Sequence, residues 1–153
     1  MKGNTNFTPS LLSINSNYGI VYTSWNQEIV SSLLENTTKE LLSLGVNKNN
    51  ISVMEVPGAF EIPLASKSLA SNVDAFIALG AIVKGDTPHF DFIASSCAQG
   101  IVQASLEEKK PIIFGVLTTN NEEQALERSD ANRGNKGAEF ARSAMQMIEA
   151  LSS

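Results

Sequence analysis

The run Val73-Asp74-Ala75-Phe76-Ile77-Ala78-Leu79-Gly80-Ala81-Ile82-Val83 is the most apolar stretch of the chain, with Asp74 its one interruption. It falls far short of the roughly 20 residues that span a bilayer. A run of this kind marks a strand covered on both faces, as in a parallel sheet. Parallel strands need long crossovers, and helices usually supply them. The rest of the chain therefore has to alternate strand with helix, and its patterning does so. Tyr18 to Thr23 and Ile51 to Val56 read as strands, the second closed by Pro57-Gly58. Between them, Val30, Leu33, Leu34, Thr37, Leu41 and Leu44 fall at helical steps, with Gly45 placed to end the helix. Helices are expected over Ile62 to Ala70 and Phe90 to Leu106, then a strand over Ile112 to Leu117. Glu122 to Arg128 reads as a short helix, and Ala138 to Leu151 as a longer one with Ala141, Ala144, Met145, Ile148 and Leu151 on one face.

This order predicts an α/β domain, a doubly wound sheet of about four parallel strands with helices on both faces. There is no internal repeat, so residues 17–153 read as one domain. Residues 1–16, rich in Asn, Ser and Thr, read as an arm, either disordered or ordered only by lying on something else. The longest apolar run of the arm is Leu11-Leu12, too short for a secretory signal. A soluble, cytoplasmic protein is expected.

Composition narrows the function. Sixteen acidic residues against 11 basic give a net charge of -5, which argues against nucleic-acid binding. One cysteine, Cys97, excludes an intrachain disulfide and a cysteine-based metal cluster, and a single histidine, His89, excludes a histidine-rich one. Cys97 reads as buried and inert, and the small residues around it suit the close approach of another helix.

In doubly wound sheets ligands bind beyond the carboxyl ends of the strands. Lys84-Gly85-Asp86-Thr87-Pro88-His89 lies between the buried strand and a helix. Gly85 suits a tight turn, Asp86 or Thr87 a cap, and Pro88 a first turn. The segment is either an ordinary capped helix start or an anion site, for which phosphate is the commonest occupant. His89 beside it is suited to moving protons, although a lone histidine is more often structural. Trp25, after the first strand, either stacks on a planar ligand or covers the sheet edge. Glu61, between Phe60 and Ile62, needs a ligand hydroxyl or a protein donor. Arg128 and Lys136 flank a loop that reads by itself as a charged surface. Gly134-Asn135-Lys136-Gly137 lacks the spacing of a nucleotide-binding P-loop.

Taken together, five motifs resemble the lumazine synthase family. They are Val56-Pro57-Gly58-Ala59-Phe60-Glu61-Ile62-Pro63, the segment Ala78 to Asp91, Phe114-Gly115-Val116-Leu117-Thr118, Glu123-Gln124-Ala125-Leu126-Glu127-Arg128, and Gly134-Asn135-Lys136-Gly137. The resemblance runs from about Tyr18 to the C-terminus. It implies a flavodoxin-like three-layer sandwich and an enzyme of riboflavin biosynthesis, a transferase. Such an enzyme condenses 5-amino-6-ribitylaminouracil with 3,4-dihydroxy-2-butanone 4-phosphate, releasing phosphate and water, with no metal or organic cofactor. Trp25 then matches the aromatic that stacks on the pyrimidine, and Asn26 a polar contact beside it. Ala59, Phe60 and Glu61 match the segment holding the ribityl chain, and Ala81, Ile82 and Val83 the strand end that reads the ring edge. Asp86 and Thr87 match the phosphate site, and His89 the proton-transfer residue. Phe114, Arg128 and Lys136 match residues contributed by a neighbouring subunit.

The resemblance also implies a pentamer, an icosahedral shell of pentamers in many members, and association with riboflavin synthase. Trp25 stands where the family usually has Phe, and Ser24 where it commonly has Arg. Ser129-Asp130 stands where Ala-Gly is favoured, which bears on the aim of Arg128. A non-catalytic flavin- or lumazine-binding protein, or a structural shell protein, is the alternative on the same scaffold.

Overall fold

The computed structural model describes residues 6–152. Strands β1 (Tyr18–Thr23), β2 (Ile51–Val56), β3 (Ala75–Val83) and β4 (Ile112–Thr119) form one sheet in the order β2-β1-β3-β4, every neighbouring pair parallel. The helices are α1 (Leu11–Ile14), α2 (Gln27–Ser43), α3 (Ile62–Leu69), α4 (His89–Glu108), α5 (Glu122–Ser129) and α6 (Lys136–Ser152).

The long apolar run becomes β3, in the interior of the sheet. Its side chains alternate between two separate cores. Ala75, Ile77, Leu79 and Ala81 pack with Leu33 of α2 and Ala141 and Met145 of α6. Phe76 and Ala78 pack with Ile62 of α3 and Cys97 and Ile101 of α4. Both faces of the strand are buried, so neither can carry polar residues. The result is a doubly wound, flavodoxin-like α/β fold. Asp74 marks where the ladder starts, two residues later than the apolar run: its carboxylate accepts the backbone N–H of Asn17 at 2.7 Å.

Close approaches fix the layers. A Cβ at Gly137 would stand 2.7 Å from the Leu33 carbonyl oxygen, so the start of α6 lies directly on α2. Thr37, on the apolar face of α2, satisfies its hydroxyl by donating to the Gly137 carbonyl at 3.0 Å. On the other face, a Cβ at Gly100 would meet Pro63 Cγ at 2.7 Å. The small-residue stretch around Cys97 therefore admits α3 of the same chain. Gly45 has φ +105°, the left-handed conformation expected just past the end of α2.

The segment before β1 lies on α6. Glu149 of α6 accepts hydrogen bonds from the Ser10 backbone and from the Ser13 hydroxyl. Hydrogen bonds from Ser10 and Ser13 hold the Glu149 carboxyl below its ordinary pKa. The Tyr18 hydroxyl donates to the Ser13 carbonyl at 2.6 Å. Burial first, then the nearby Asp74 and Glu149 charges, raise the Tyr18 pKa. Among the described residues no helix is long and apolar enough to cross a membrane.

Candidate active site

Three strand exits and the start of α4 enclose a cavity of about 490 Å³ at the carboxyl ends of the strands. The β1 exit contributes Thr23, Trp25 and Asn26; the β2 exit contributes Gly58, Ala59, Phe60 and Glu61. Ala81, Ile82, Val83, Gly85 and Thr87 come from the β3 exit, and His89, Phe90 and Ile93 from α4.

Local hydrogen bonds hold these exits together. Asn26 is left-handed (φ 56°, ψ 52°), a conformation asparagine tolerates better than most residues. Its side chain does not cap α2; its Nδ2 donates to the Ala81 carbonyl at 2.8 Å and ties the β1 exit to β3. That bond settles the amide orientation, because only the nitrogen can donate. Ser24 ties the β1 exit to β2 through its N–H on the Val56 carbonyl (3.0 Å) and its hydroxyl on the Pro57 carbonyl (3.1 Å). Lys84 N–H on the Thr119 carbonyl, at 2.9 Å, ties the β3 exit to the end of β4.

Aromatic surface stands open at the mouth. Trp25 is 71% exposed and Phe60 63%. Gly58 separates Trp25 from Glu61: a Cβ there would stand 3.2 Å from Glu61 Oε2 and 3.8 Å from Trp25 Cδ1. An indole on one side and a carboxylate on the other suit a planar ring carrying hydroxyl groups. Glu61 is exposed, so water satisfies its carboxylate in the free chain, and the partner expected from its apolar neighbours is not needed. No protein donor among the described residues holds it, and it stands open to a ligand hydroxyl.

The start of α4 differs from its sequence reading in two respects. Pro88 itself is the N-cap, with no side-chain cap bond, so neither Asp86 nor Thr87 caps the helix, and α4 begins at His89. Gly85 has no positive φ, and a Cβ there would meet nothing within 4 Å, so neither backbone nor packing requires glycine. What glycine leaves is open space just before a 20-residue helix. In its first turn the Asp91 and Phe92 N–H groups donate to the Pro88 carbonyl, and those of His89 and Phe90 do not join the helix ladder. Thr87 and His89 line the cavity; Asp86 is exposed and lies off its lining.

Phe114, Arg128 and Lys136 do not reach this cavity in the single chain. Phe114, on β4, lines an apolar groove with Ala98, Val102 and Leu106 of α4. The exposed Arg128 donates to the Gln124 carbonyl at 3.1 Å, and Lys136 Nζ lies 3.0 Å from Glu139 Oε2. Behind Arg128 the backbone is tightly built. A Cβ at Gly134 would stand 2.8 Å from Arg128 Cα. The Ser129 carbonyl accepts the Ser32 hydroxyl (2.8 Å) and Asn36 Nδ2 (3.1 Å), and the Asp130 carboxylate accepts the Asn132 N–H at 2.7 Å. Ser129-Asp130 thus forms a braced turn rather than a loose one.

Cys97 is fully buried, and burial pushes its thiol up to about 11, which leaves it protonated at neutral pH. Among the described residues no three His, Cys, Asp or Glu side chains gather as metal ligands do. Sequence reasoning passed over Thr23, Phe90 and Ile93 as lining residues. For Ile93 the signal was present, since a residue four positions after His89 shares its side of a helix, and Phe90 lies three positions before Ile93.

The family model described as 6,7-dimethyl-8-ribityllumazine synthase matches residues 15–152. The 6,7-dimethyl-8-ribityllumazine synthase of Protochlamydia amoebophila (strain UWE25) is 49% identical over 133 residues, covering 86% of this chain and 77% of that protein. The chain belongs to the 6,7-dimethyl-8-ribityllumazine synthase family. The match begins at residue 15, so the whole of α1 lies outside it. The cavity and the braced turn behind Arg128 both fall within it.

Proposed function

We propose that this chain is a 6,7-dimethyl-8-ribityllumazine synthase, a transferase that condenses 5-amino-6-ribitylaminouracil with 3,4-dihydroxy-2-butanone 4-phosphate in riboflavin biosynthesis. One observation carries the reading. A chain of this family gathers an exposed indole, a carboxylate, an imidazole and an open helix start around one cavity. Trp25 stacks on the pyrimidine, and the Asn26 amide and the Ala81–Val83 backbone read its edge. Ala59, Phe60 and Glu61 hold the ribityl chain, with Glu61 accepting from its hydroxyl groups. Gly85, Asp86 and Thr87, at the start of α4, receive the phosphate through backbone N–H groups and the Thr87 hydroxyl.

The ring amine attacks the ketone carbon, and water leaves as the imine forms. A proton then leaves the adjacent carbon while the C–O bond to phosphate breaks. The resulting enol takes up a proton to become a second carbonyl. The ribityl-bearing amine attacks that carbonyl, and loss of water closes the ring. His89 moves protons in these steps. Most of the rate comes from holding two substrates face to face.

The site is completed by a second copy of the chain. Phe114, Arg128 and Lys136 lie away from their own cavity, and Val102, Leu106 and Phe114 expose apolar surface that an adjoining copy would cover. A pentamer, able to build a shell, fits this arrangement. The protein works in the cytoplasm, with riboflavin synthase as the enzyme that takes its product.

The test is an assay of purified protein with both substrates, following lumazine absorbance. Product formation is expected. Tight riboflavin binding without product would favour a non-catalytic flavin-binding protein, and assembly with neither would favour a structural shell protein.

A further inference from the structure

Thr23 ends β1 and lines the floor of the cavity. Its side chain is 3% exposed, and its Oγ1 is buried with no hydrogen-bond partner among the described residues. Every other buried Ser or Thr hydroxyl among the described residues is satisfied: Ser13, Ser16, Thr37, Ser66, Thr119 and Ser129 each donate to a carbonyl oxygen of the chain. Leaving such a group unpaired costs stability, and a valine of nearly the same shape would remove that cost.

Its surroundings suggest what the hydroxyl is kept for. Register places Thr23 against Val56, two residues before Gly58, on one side. On the other side is Gly80, whose Cβ would stand 3.3 Å from Thr23 Oγ1 and 3.5 Å from Val116 Cγ1. Any larger residue at that position would crowd the hydroxyl. Thr23 therefore lies between the Ala59–Glu61 segment and the Ala81–Val83 strand end. The function proposed above gives these segments to the polyol and to the ring of one and the same substrate.

We infer that Thr23 is a further binding residue for the amine-bearing substrate. Its hydroxyl is closed off in the free chain, and a turn about χ1 toward the cavity that Thr23 lines lets it pair with that ligand where ring meets polyol. The inference rests on the synthase reading. The phosphate-bearing ketone, received at the start of α4, makes no use of it.

The experiment compares wild type with Thr23→Val and Thr23→Ser, in steady-state kinetics with each substrate varied separately and in thermal melts without ligand. Thr23→Val should raise KM for 5-amino-6-ribitylaminouracil about tenfold, the value of one lost hydrogen bond. KM for the ketone phosphate should stay unchanged, and the melting temperature should rise. Thr23→Ser should restore the KM. A hydroxyl with only a structural role gives a different pattern, in which Thr23→Val melts lower or fails to fold, or both KM values stay put. Any of these results overturns the inference. If wild type makes no lumazine, the synthase reading fails and takes this inference with it. An active wild type with a kinetically normal Thr23→Val removes this inference alone.

Discussion

His89 and Arg128 divide the proposed chemistry, and each assignment makes a different kinetic prediction. His89 lines the cavity at the first position of α4, where an imidazole can exchange protons with a bound intermediate. His89→Ala should lower kcat by about 10²-fold, the lower range for a general acid–base group, with pyrimidine binding nearly intact. Arg128 offers a guanidinium suited to gripping phosphate in a fork. Arg128→Ala should raise KM for the ketone phosphate by about 10- to 100-fold, the value of a charge-assisted bond, and leave the pyrimidine KM unchanged. Steady-state kinetics with each substrate varied in turn reads both; the assignments fall if neither variant departs from wild type. Trp25 permits a third test. It is the only tryptophan in the chain and is largely exposed at the cavity mouth, so its fluorescence reports on that site alone. Titration with riboflavin should quench it, because a large flat ring offers the isoalloxazine a stacking face. Absence of quenching at every accessible concentration would remove flavin binding from the account.

Among the elements, the docked N-terminal helix and the α2–α6 contact are the parts whose energetics can be read off directly. Glu149 receives hydrogen bonds from Ser10 and Ser13, which lower its pKa in the folded protein. A lowered carboxyl pKa gives stability that is present above the unfolded value, about 4.3, and is lost as pH falls through the folded value. Glu149→Gln should therefore melt about 1–3 °C below wild type at pH 7, and the gap should narrow as pH falls below the unfolded value. Thermal melts of the two proteins across that range check it. The contact between α6 and α2 is less forgiving. A methyl group at Gly137 would press on the backbone of α2, with the Leu33 carbonyl oxygen at 2.7 Å and the Thr37 nitrogen at 3.1 Å. Gly137→Ala should cost about 1–3 kcal/mol, the usual range for overpacking, and lower the melting temperature by about 3–10 °C. The periodicity of α2 and α6 announces which faces pack. It does not announce that the pair meets backbone to backbone, since that depends on where two distant segments are brought by the sheet between them.

For the whole molecule, the proposal is that each site is shared between two chains. This makes a complementation experiment decisive. His89→Ala and Arg128→Ala would damage opposite halves of one site. Oligomers co-assembled from equal amounts of the two should recover about a quarter of the wild-type sites, since that fraction pairs an intact cavity with an intact neighbouring arginine. Activity no higher than the mean of the separate variants would show that each chain supplies its own site. Analytical ultracentrifugation gives the assembly state independently, and a monomer that turns over both substrates would contradict the arrangement. The exposed apolar groove of Val102, Leu106 and Phe114 is the surface that the proposed assembly would bury.

Much of this protein was legible before any fold was seen, for a physical reason. An apolar run rich in β-branched residues is well covered on both faces inside a parallel sheet, so Val73 to Val83, together with the strand–helix alternation around it, set the architecture, the strand order apart. The same rule directed attention to the strand exits, where Trp25, Asn26, Glu61 and His89 meet. Other features depended on three-dimensional proximity, which no local pattern encodes. The cap of α4 proved to be Pro88 rather than Asp86 or Thr87, because helix phase is set by the packing of the whole element. The left-handed Asn26 bridges to Ala81, 55 positions away in the chain. The unpaired hydroxyl of Thr23 reads in sequence as one more β-branched strand residue. Only the folded neighbourhood, where each other buried Ser and Thr hydroxyl among the described residues finds a carbonyl, reveals that this one does not.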